Sequence, residues 1–333
     1  MKRGCIYFQY GFWQNVKKLD VGAFGPNAWD LFCVLRKSKV QAEIPIESFG
    51  SDDYLSILWH ESGGSCFVEK GQIEAIIEGD NLSIEKLSSV FLLDNDENEC
   101  NKYAQQKGVL CLNAEMLYKK KHLVFGKKIP FEFHQNGDYY GLREIFSLPC
   151  NSLILIDPHI LNDRKYIQHH LKHLLKNILP QSLTIPFDIS VFSGIGNRNY
   201  DDEELGRSFF EEILEMLHEI RPRLDFSFSL YQIPAQGEGW HDRFVLTNNL
   251  MIEASGGFSV FGPVERDIKA QKDCNFHICQ PILDKNGDTE DYYNWIKKTS
   301  VESHKESRYQ HRRFANTENR YNRLFELVDQ IAF

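Results

Sequence analysis

The sequence has no long apolar run. Its longest runs, Ser88–Leu93 and Ser152–Ile156, fall well short of the roughly 20 apolar residues that a membrane-spanning helix requires. The stretch after Met1-Lys2-Arg3 is broken by polar residues and has no small-residue cleavage site, unlike a secretory signal peptide. We therefore expect no membrane-spanning segment, no membrane partner and no signal peptide.

Paired cysteines and an excess of positive charge are also missing. The eight cysteines are spread over 333 residues without a Cys-x-x-Cys pair, unlike a disulfide scaffold, so a reducing, cytoplasmic location is expected. The net charge of −9 excludes a surface that coats nucleic acid by charge alone, although a local basic patch can still contact phosphates. With 42% hydrophobic and 26% charged residues, the composition is that of a folded globular protein.

A β-α-β unit is predicted in the first half of the chain. The apolar run at Ser88–Leu93 predicts a buried strand, Glu99–Gln106 suits a short helix, and Val109–Leu112 predicts a second strand. Lysine-rich and turn-forming residues between 120 and 150 mark a domain boundary. We predict an N-terminal α/β domain over residues 1–135, with no assigned role.

The elements after Cys150 are predicted in the order strand, helix, strand, helix, strand, strand, strand, which favours a mostly parallel layered sheet. The first five are Ser152–Ile156, Arg164–Asn177, Leu183–Phe192, Asp201–Ile220 and Leu224–Gln232. Pro186 in the third element suggests an edge strand or a bulge. We predict a mixed sheet flanked by helices over residues 136–300, followed by a basic, amphipathic helical tail over residues 301–333.

A histidine and an arginine follow these elements at a spacing that places both side chains on one face of a strand. His241 and Arg243 lie two residues apart in a segment that predicts a strand, so both side chains are expected on the same face. The next predicted strand, Leu250–Ala254, runs into the small-residue turn Ser255–Ser259, which lets backbone amides come close to an anion. The pattern predicts a cationic pocket for an anionic group.

This segment resembles the phospholipase D superfamily, whose signature is His-x-Lys, four residues, Asp, and a Gly-Ser turn after a further short strand. The resemblance covers about residues 151–263 and includes Ile156-Asp157-Pro158-His159 at the end of the first strand. It implies a catalytic histidine at His241, a phosphate-binding cation at Arg243, and Asn248 at the position of the aspartate. It also implies a substrate-binding turn at Gly256, Gly257 and Ser259.

The resemblance implies a phosphodiesterase or nuclease that works without metal or cofactor. Its substrate would be a phosphodiester such as DNA or RNA, cleaved through a phosphohistidine intermediate, and a role in prokaryotic antiviral defence is suggested. In the family, a second motif supplies the histidine that protonates the leaving group. This chain shows a single motif, so a catalytic site implies a homodimer that brings two copies of His241 together.

Departures from the family pattern support a second hypothesis. Arg243 in place of lysine keeps the positive charge and adds a planar fork suited to phosphate. Asn248 lacks the carboxylate that would orient the histidine, unless Asp242 or Glu253 replaces it. The alternative is a catalytically inactive phospholipase D-like module that binds protein or nucleic acid as a subunit of a larger complex.

Other residue groups suggest sites of a different kind. Carboxylates after a predicted strand can hold Mg²⁺ for a metal-dependent nuclease, although a solvated loop that caps the next helix is the favoured interpretation. This group is Asp94, Asp96, Glu97 and Glu99. Two further groups contain residue types that bind zinc. The favoured interpretation of the first group is a solvated helix face, and that of the second is a strand whose side chains alternate between the two faces of a sheet. These groups are His169 with His173, and Cys274 with His277 and Cys279.

The tail from Lys305 to Arg323 is locally basic. It predicts either a contact with a phosphate backbone or a solvated helix that docks through an apolar stripe. The stripe consists of Tyr321, Leu324, Phe325, Val328 and Ile331.

Overall fold

The chain forms two β-sheets with helices packed against them. The structure is a computed structural model, and it describes residues 5–19, 28–62, 67–79, 89–119, 128–130, 148–162, 164–194, 203–233, 243–254, 274–277, 289–303, 312–317 and 320–327. The predicted mixed α/β class is confirmed at that level. None of the helices within these ranges is long and apolar enough to cross a membrane.

The first sheet is parallel throughout. Its strands and helices are β1 (Ile6–Gln9), α1 (Tyr10–Leu19), α2 (Ala28–Lys37), β2 (Val40–Glu43), α3 (Asp53–Ser62), α4 (Gln72–Glu78), β3 (Val90–Leu92), α5 (Glu97–Lys107), β4 (Leu110–Leu112) and α6 (Ala114–Lys119), with a 3₁₀ turn at Ile46–Ser51. The strand order is β2-β1-β3-β4. β1, β3 and β4 are buried along their whole length, as expected for parallel strands covered on both faces. The predicted β-α-β unit is confirmed as β3, α5 and β4.

The second sheet is mixed. Its elements are β5 (Lys128–Pro130), β6 (Ser152–Ile156), α7 (Arg164–Tyr166, the π-helical Ile167–Leu171 and Lys172–Ile178), β7 (Phe187–Gly194), α8 (Glu203–Ile220), β8 (Phe226–Ile233), β9 (Phe244–Thr247), β10 (Met251–Ala254), β11 (Cys274–His277), α9 (Thr289–Ser303) and β12 (Arg312–Ala315), with 3₁₀ turns at Ile160–Asn162 and Arg323–Leu327. The order is β12-β8-β7-β6-β9-β10-β11-β5. β6, β7 and β8 are parallel, and the other neighbours are antiparallel. The predicted order of strands and helices after Cys150 is confirmed, but the expectation of a mostly parallel sheet is wrong, because only two of the seven neighbouring pairs of described strands are parallel.

Alternate residues of β6 face two different cores. Leu153 and Leu155 belong to the core that includes buried residues of α7 and α8 and continues into the first sheet. Ile154 and Ile156 face a second core, which α9 and the 3₁₀ turn at Arg323–Leu327 cover. Because successive side chains of a strand point to opposite faces, both faces of the central strands are buried.

Three local predictions differ from the structure. The tail is not a helix throughout, since Arg312–Ala315 forms β12 and pairs with β8 at the sheet edge. Pro186 precedes β7, which lies between β6 and β8 rather than at an edge. Lys128–Pro130, which the predicted boundary assigns to the N-terminal domain, pairs with β11 of the second sheet. In each case the pairing partner is distant in sequence, so local composition does not reveal it.

Gly108 lies at the contact between the two sheets. It ends α5 in the left-handed conformation, with φ 63°, which glycine adopts without steric cost. Its carbonyl oxygen accepts hydrogen bonds from the side-chain amides of Asn151, at 3.2 Å, and Asn248, at 3.0 Å. A Cβ atom added at this position would lie 2.3 Å from the carbonyl oxygen of Cys150. The end of α5 therefore packs directly against the segment that leads into β6.

Candidate functional site

Arg243 meets a buried carboxylate at one end of the second sheet. β9 runs antiparallel to β6 in a register that places Phe244 beside Ile156. The residue before β9, Arg243, and the residue after β6, Asp157, are therefore neighbours. Their side chains form an ion pair, with 3.2 Å between Arg243 Nε and Asp157 Oδ1. This pair lies at the carboxyl end of the parallel strands, the edge at which open α/β sheets bind ligands.

Asp157 is held from three directions. Besides Arg243, its Oδ1 accepts a hydrogen bond from the His159 backbone amide at 2.8 Å, and its Oδ2 accepts one from the Tyr166 hydroxyl at 3.0 Å. The Asp157 side chain has no solvent exposure. A buried carboxylate is costly unless it is paired and hydrogen-bonded, and here the donors come from α7, from the residue directly before β9 and from the turn after β6. Asp157 therefore ties these three elements together.

The guanidinium of Arg243 is oriented by this contact. The Arg243 side chain is 18% exposed, so the group lies at the margin of the packed edge. Its ion pair with Asp157 fixes the position of Nε and balances its positive charge locally. A planar guanidinium held in this way is suited to bind a phosphate or carboxylate oxygen, but its attraction for an anion is weaker than that of an uncompensated cation.

The neighbouring strand ends are closely packed. The Ser193 hydroxyl of β7 accepts a hydrogen bond from the Leu161 amide at 3.4 Å. A Cβ atom at Gly206 in α8 would lie 2.7 Å from Gln232 Nε2, so the first turns of α8 lie directly over the end of β8. The loop after β6 and the start of α8 thus pack against the ends of β7 and β8 at the same edge of the sheet.

Asn248 lies at the opposite end of β9 from Arg243. The two residues are five positions apart, about 16 Å along an extended strand. Asn248 is buried, and its side chain accepts a hydrogen bond from the Asn151 amide at 3.0 Å and donates one to the Gly108 carbonyl at 3.0 Å. The structure therefore does not bring Asn248 together with Arg243, and Asn248 instead contributes to the junction between the two sheets.

The remaining predicted site residues lie outside the described part of the chain. These are His241, Gly256, Gly257 and Ser259. Asp242, weighed as a substitute carboxylate, lies outside it as well, whereas Glu253 belongs to β10 and pairs across the sheet with Phe244. The predicted roles of the residues outside this part stay predictions.

Sequence reasoning missed Asp157 and Tyr166 as members of the site. Asp157 was part of the resemblance only as the end of a strand. The signal that could have identified it is an acidic residue directly after a fully apolar strand, because such a residue is expected to be paired where the strand end is covered by protein. Tyr166 gave no signal, since its contact depends on how α7 lies over β6.

The carboxylates after β3 have partners within the protein, and one of them caps a helix. Asp96 accepts a hydrogen bond from the Glu99 amide at 2.9 Å and caps α5, as the favoured interpretation predicted. Glu97 pairs with Lys119. Among the residues that the structure describes, no three His, Cys, Asp or Glu side chains are grouped so that they could hold a metal ion.

His169 and His173 form no zinc site with a third ligand among the described residues, and the side chains of Cys274 and His277 lie outside what the structure describes. His169 lies in the π-helical segment of α7, and Cys279 lies outside the described residues. Buried thiols are also poor nucleophiles, because burial raises the pKa of Cys150 to about 12 and burial with nearby carboxylates raises the pKa of Cys100 to about 12. Neither thiol ionises appreciably near neutral pH.

The basic tail is used within the molecule. Arg320 and Arg323 both pair with the buried carboxylate of Asp188 in β7, at 2.8 and 2.7 Å. The Arg313 guanidinium lies over the Tyr321 ring, 4.5 Å from its centroid. Of the predicted apolar stripe, Leu324 and Phe325 are buried and Tyr321 is 39% exposed, while Val328 and Ile331 lie outside the described residues. These arginines dock the tail on the sheet, so they are not a free patch for phosphates.

Comparison with known proteins assigns no family. No protein-family model matches the chain, and no curated protein matches it significantly.

Proposed function

We propose that the carboxyl edge of the second sheet binds a phosphodiester and that His241 cleaves it. The observation that carries the proposal is the Arg243–Asp157 ion pair, with the Arg243 side chain 18% exposed at that edge. His241 precedes Arg243 by two residues, so an extended backbone would place both on the same face. The substrate class is a phosphodiester such as DNA or RNA.

The proposed reaction has two steps. An imidazole nitrogen of His241 attacks phosphorus, a P–N bond forms and the P–O bond to the leaving group breaks, while Arg243 stabilises charge on the phosphate oxygens. A second His241, from a partner copy, gives its proton to the leaving oxygen. Water then attacks phosphorus in the phosphohistidine, a P–O bond forms and the P–N bond breaks, and the second His241 takes up the proton that the water loses, which restores both imidazoles. Both steps proceed without a metal ion, and the homodimer supplies the second histidine.

Asp157 acts in this proposal as a positioning residue. It holds Nε of Arg243 at 3.2 Å, which limits the rotation of the guanidinium and directs it relative to β9. Because Asn248 lies at the far end of that strand, its lack of a carboxylate has no direct bearing on His241. Replacing Asn248 with aspartate is therefore expected to give no gain in activity.

A second candidate function is a binding module without catalysis. The observation that favours it is that the Arg243 charge is balanced by a fully buried carboxylate. A balanced guanidinium can still donate hydrogen bonds to a phosphate or to an acidic partner, but it gives less stabilisation to the charge that develops during cleavage. Such a module would act as a nucleic-acid-binding or protein-binding subunit of a larger complex.

A cleavage assay separates these candidates. The wild-type protein and the variants His241→Ala, Arg243→Ala and Asn248→Asp are incubated with labelled single-stranded DNA, RNA and bis(p-nitrophenyl) phosphate, with and without EDTA. We expect cleavage that EDTA leaves unchanged, a fall of at least about 100-fold in His241→Ala and in Arg243→Ala, and no gain in Asn248→Asp. The histidine adduct is expected as an acid-labile, base-stable label on the protein.

Three results would overturn the catalytic proposal. They are full activity in His241→Ala, loss of activity with EDTA, and activity in a protein that light scattering shows to be strictly monomeric. If no substrate is cleaved but labelled nucleic acid binds in a salt-dependent way that Arg243→Ala weakens, the second candidate function is supported instead.

A further inference from the structure

A large cavity lies at the carboxyl ends of the first sheet. In the strand order β2-β1-β3-β4, β2 lies on one side of β1 and β3 lies on the other, so the chain adds strands first to one side and then to the other. Open α/β sheets bind ligands in the crevice at such a switch point. The cavity is lined from the ends of β1, β2 and β3 by residues that include Gln9, Glu43 and Asp94, and its volume is about 1170 Å³. This is on the scale of pockets that hold small molecules.

The walls of the cavity combine aromatic and acidic side chains. Tyr10, Trp59 and Phe67 line it, and the rings of Trp59 and Phe67 are 4.7 Å apart between centroids. Of the lining residues that the structure describes, seven carry carboxylates and Lys70 alone carries a positive charge. Open α/β sheets often bind phosphate groups at this edge, but this charge balance opposes a phosphate and favours a cation.

Some of these carboxylates already have partners within the protein. Asp96 caps α5, Glu43 accepts a hydrogen bond from the Ile73 amide of α4 at 3.4 Å, and Asp94 accepts one from Asn15 at 2.8 Å. Glu47 and Glu69 are exposed at the cavity. Glu74 and Glu99 also accept hydrogen bonds, from Gln9 at 3.3 Å and from Asn95 at 2.9 Å, so the case for a cationic ligand rests mainly on the exposed Glu47 and Glu69.

The spacing of the carboxylates excludes a compact ion as the best ligand. A divalent metal needs several oxygen ligands within about 2.6 Å of one point, and no three acidic side chains in the described part of the chain are grouped in this way. Carboxylates distributed around a space that is also lined by aromatic side chains instead suit a ligand whose positive groups are separated by methylene groups. Aromatic faces add attraction for such ammonium groups.

We propose that this cavity binds an aliphatic polyamine, with its ammonium groups at the carboxylates and its methylene chain along the aromatic wall. This site is separate from the Arg243–Asp157 edge and does not depend on the phosphodiesterase proposal. The inference follows from the cavity at the strand reversal, its excess of carboxylates and the absence of a metal-type cluster among the described residues.

Titration calorimetry with spermidine tests the proposal at about 150 mM NaCl, where non-specific attraction to an acidic protein is screened. The site variant is Glu47→Gln/Glu69→Gln, which changes two exposed side chains. The matched control is Glu211→Gln/Glu215→Gln, which removes two exposed charges from α8. We expect saturable binding with one spermidine per chain, a dissociation constant about 5-fold higher in the site variant, and no change in the control.

Three outcomes would overturn the proposal. Spermidine binding that never saturates, or that weakens equally in the site and control variants, would show attraction to net charge only. Displacement of spermidine by MgCl₂ at an ionic strength at which NaCl leaves spermidine bound would assign the cavity to a divalent cation instead.

Discussion

The junction between the two sheets allows a sharp test of the packing, because the chain contains two glycines with the same backbone conformation in different surroundings. Gly108 has φ 63° and Gly71 has φ 81°, both in the left-handed region. A Cβ atom at Gly108 would lie 2.3 Å from the Cys150 carbonyl oxygen, whereas at Gly71 no atom would lie within 4 Å. Alanine at either position adopts an unfavourable backbone conformation, but only alanine at Gly108 also clashes with the backbone that leads into β6 of the second sheet.

The expected loss of stability differs accordingly. Gly71→Ala should lower the free energy of unfolding by about 1 kcal/mol, the cost of a left-handed alanine. Gly108→Ala carries the same cost and must also displace the backbone before β6, which adds about 1–3 kcal/mol. That displacement also strains the hydrogen bonds that Asn151 and Asn248 donate to the Gly108 carbonyl. We therefore expect a total loss of about 2–4 kcal/mol.

Urea unfolding of the wild-type protein and both variants, followed by circular dichroism and by tryptophan fluorescence, measures the difference. The slope of free energy against urea concentration should stay constant, so that the midpoint alone reports stability. Equal losses in Gly71→Ala and Gly108→Ala would refute the close contact between α5 and the segment before β6. A loss in Gly108→Ala no larger than about 1 kcal/mol would have the same meaning.

Two further predictions concern buried carboxylates. Asp188→Asn should lower the free energy of unfolding by about 3–5 kcal/mol, because it leaves Arg323, whose side chain is 3% exposed, without a counter-charge. The double variant with Arg323→Met should lose less than the two single losses added together, and additive losses would contradict the pairing. Asp52 caps α3 and accepts hydrogen bonds from Trp13 at 2.7 Å and Lys17 at 3.0 Å. Burial acts to raise the pKa of Asp52, but these hydrogen bonds set the pKa below its usual value. Stabilisation by the carboxylate is thus present above the unfolded pKa of about 4 and is lost as the pH falls through the folded pKa. The excess stability of the wild-type protein over Asp52→Asn, measured by urea unfolding, should shrink on acidification; a constant excess would argue against an ionised Asp52.

The candidate site was predictable in part. The two-residue spacing of His241 and Arg243 singled out the start of β9, where the structure places Arg243 beside Asp157. The resemblance to the phospholipase D superfamily also implied that Asn248 belongs to the same site. In the structure the four residues of β9 separate Arg243 from Asn248, so the two residues lie at opposite ends of the strand. A sequence motif specifies how many residues separate two side chains, whereas their distance in space depends on the conformation of the backbone between them.

The sequence by itself determined the order of strands and helices from β6 to β10 and the β3-α5-β4 unit, because apolar periodicity and turn residues act over a few neighbouring positions. The buried face of α8 follows for the same reason, because Phe209, Ile213 and Leu217 recur every four residues and are buried. Tertiary structure alone decided that Arg243 pairs with a carboxylate 86 positions away, that Arg312–Ala315 completes the sheet beside β8, and that carboxylates from separate loops line one cavity. These contacts form where distant segments meet, and their energies depend on burial and geometry that no local pattern of residues encodes.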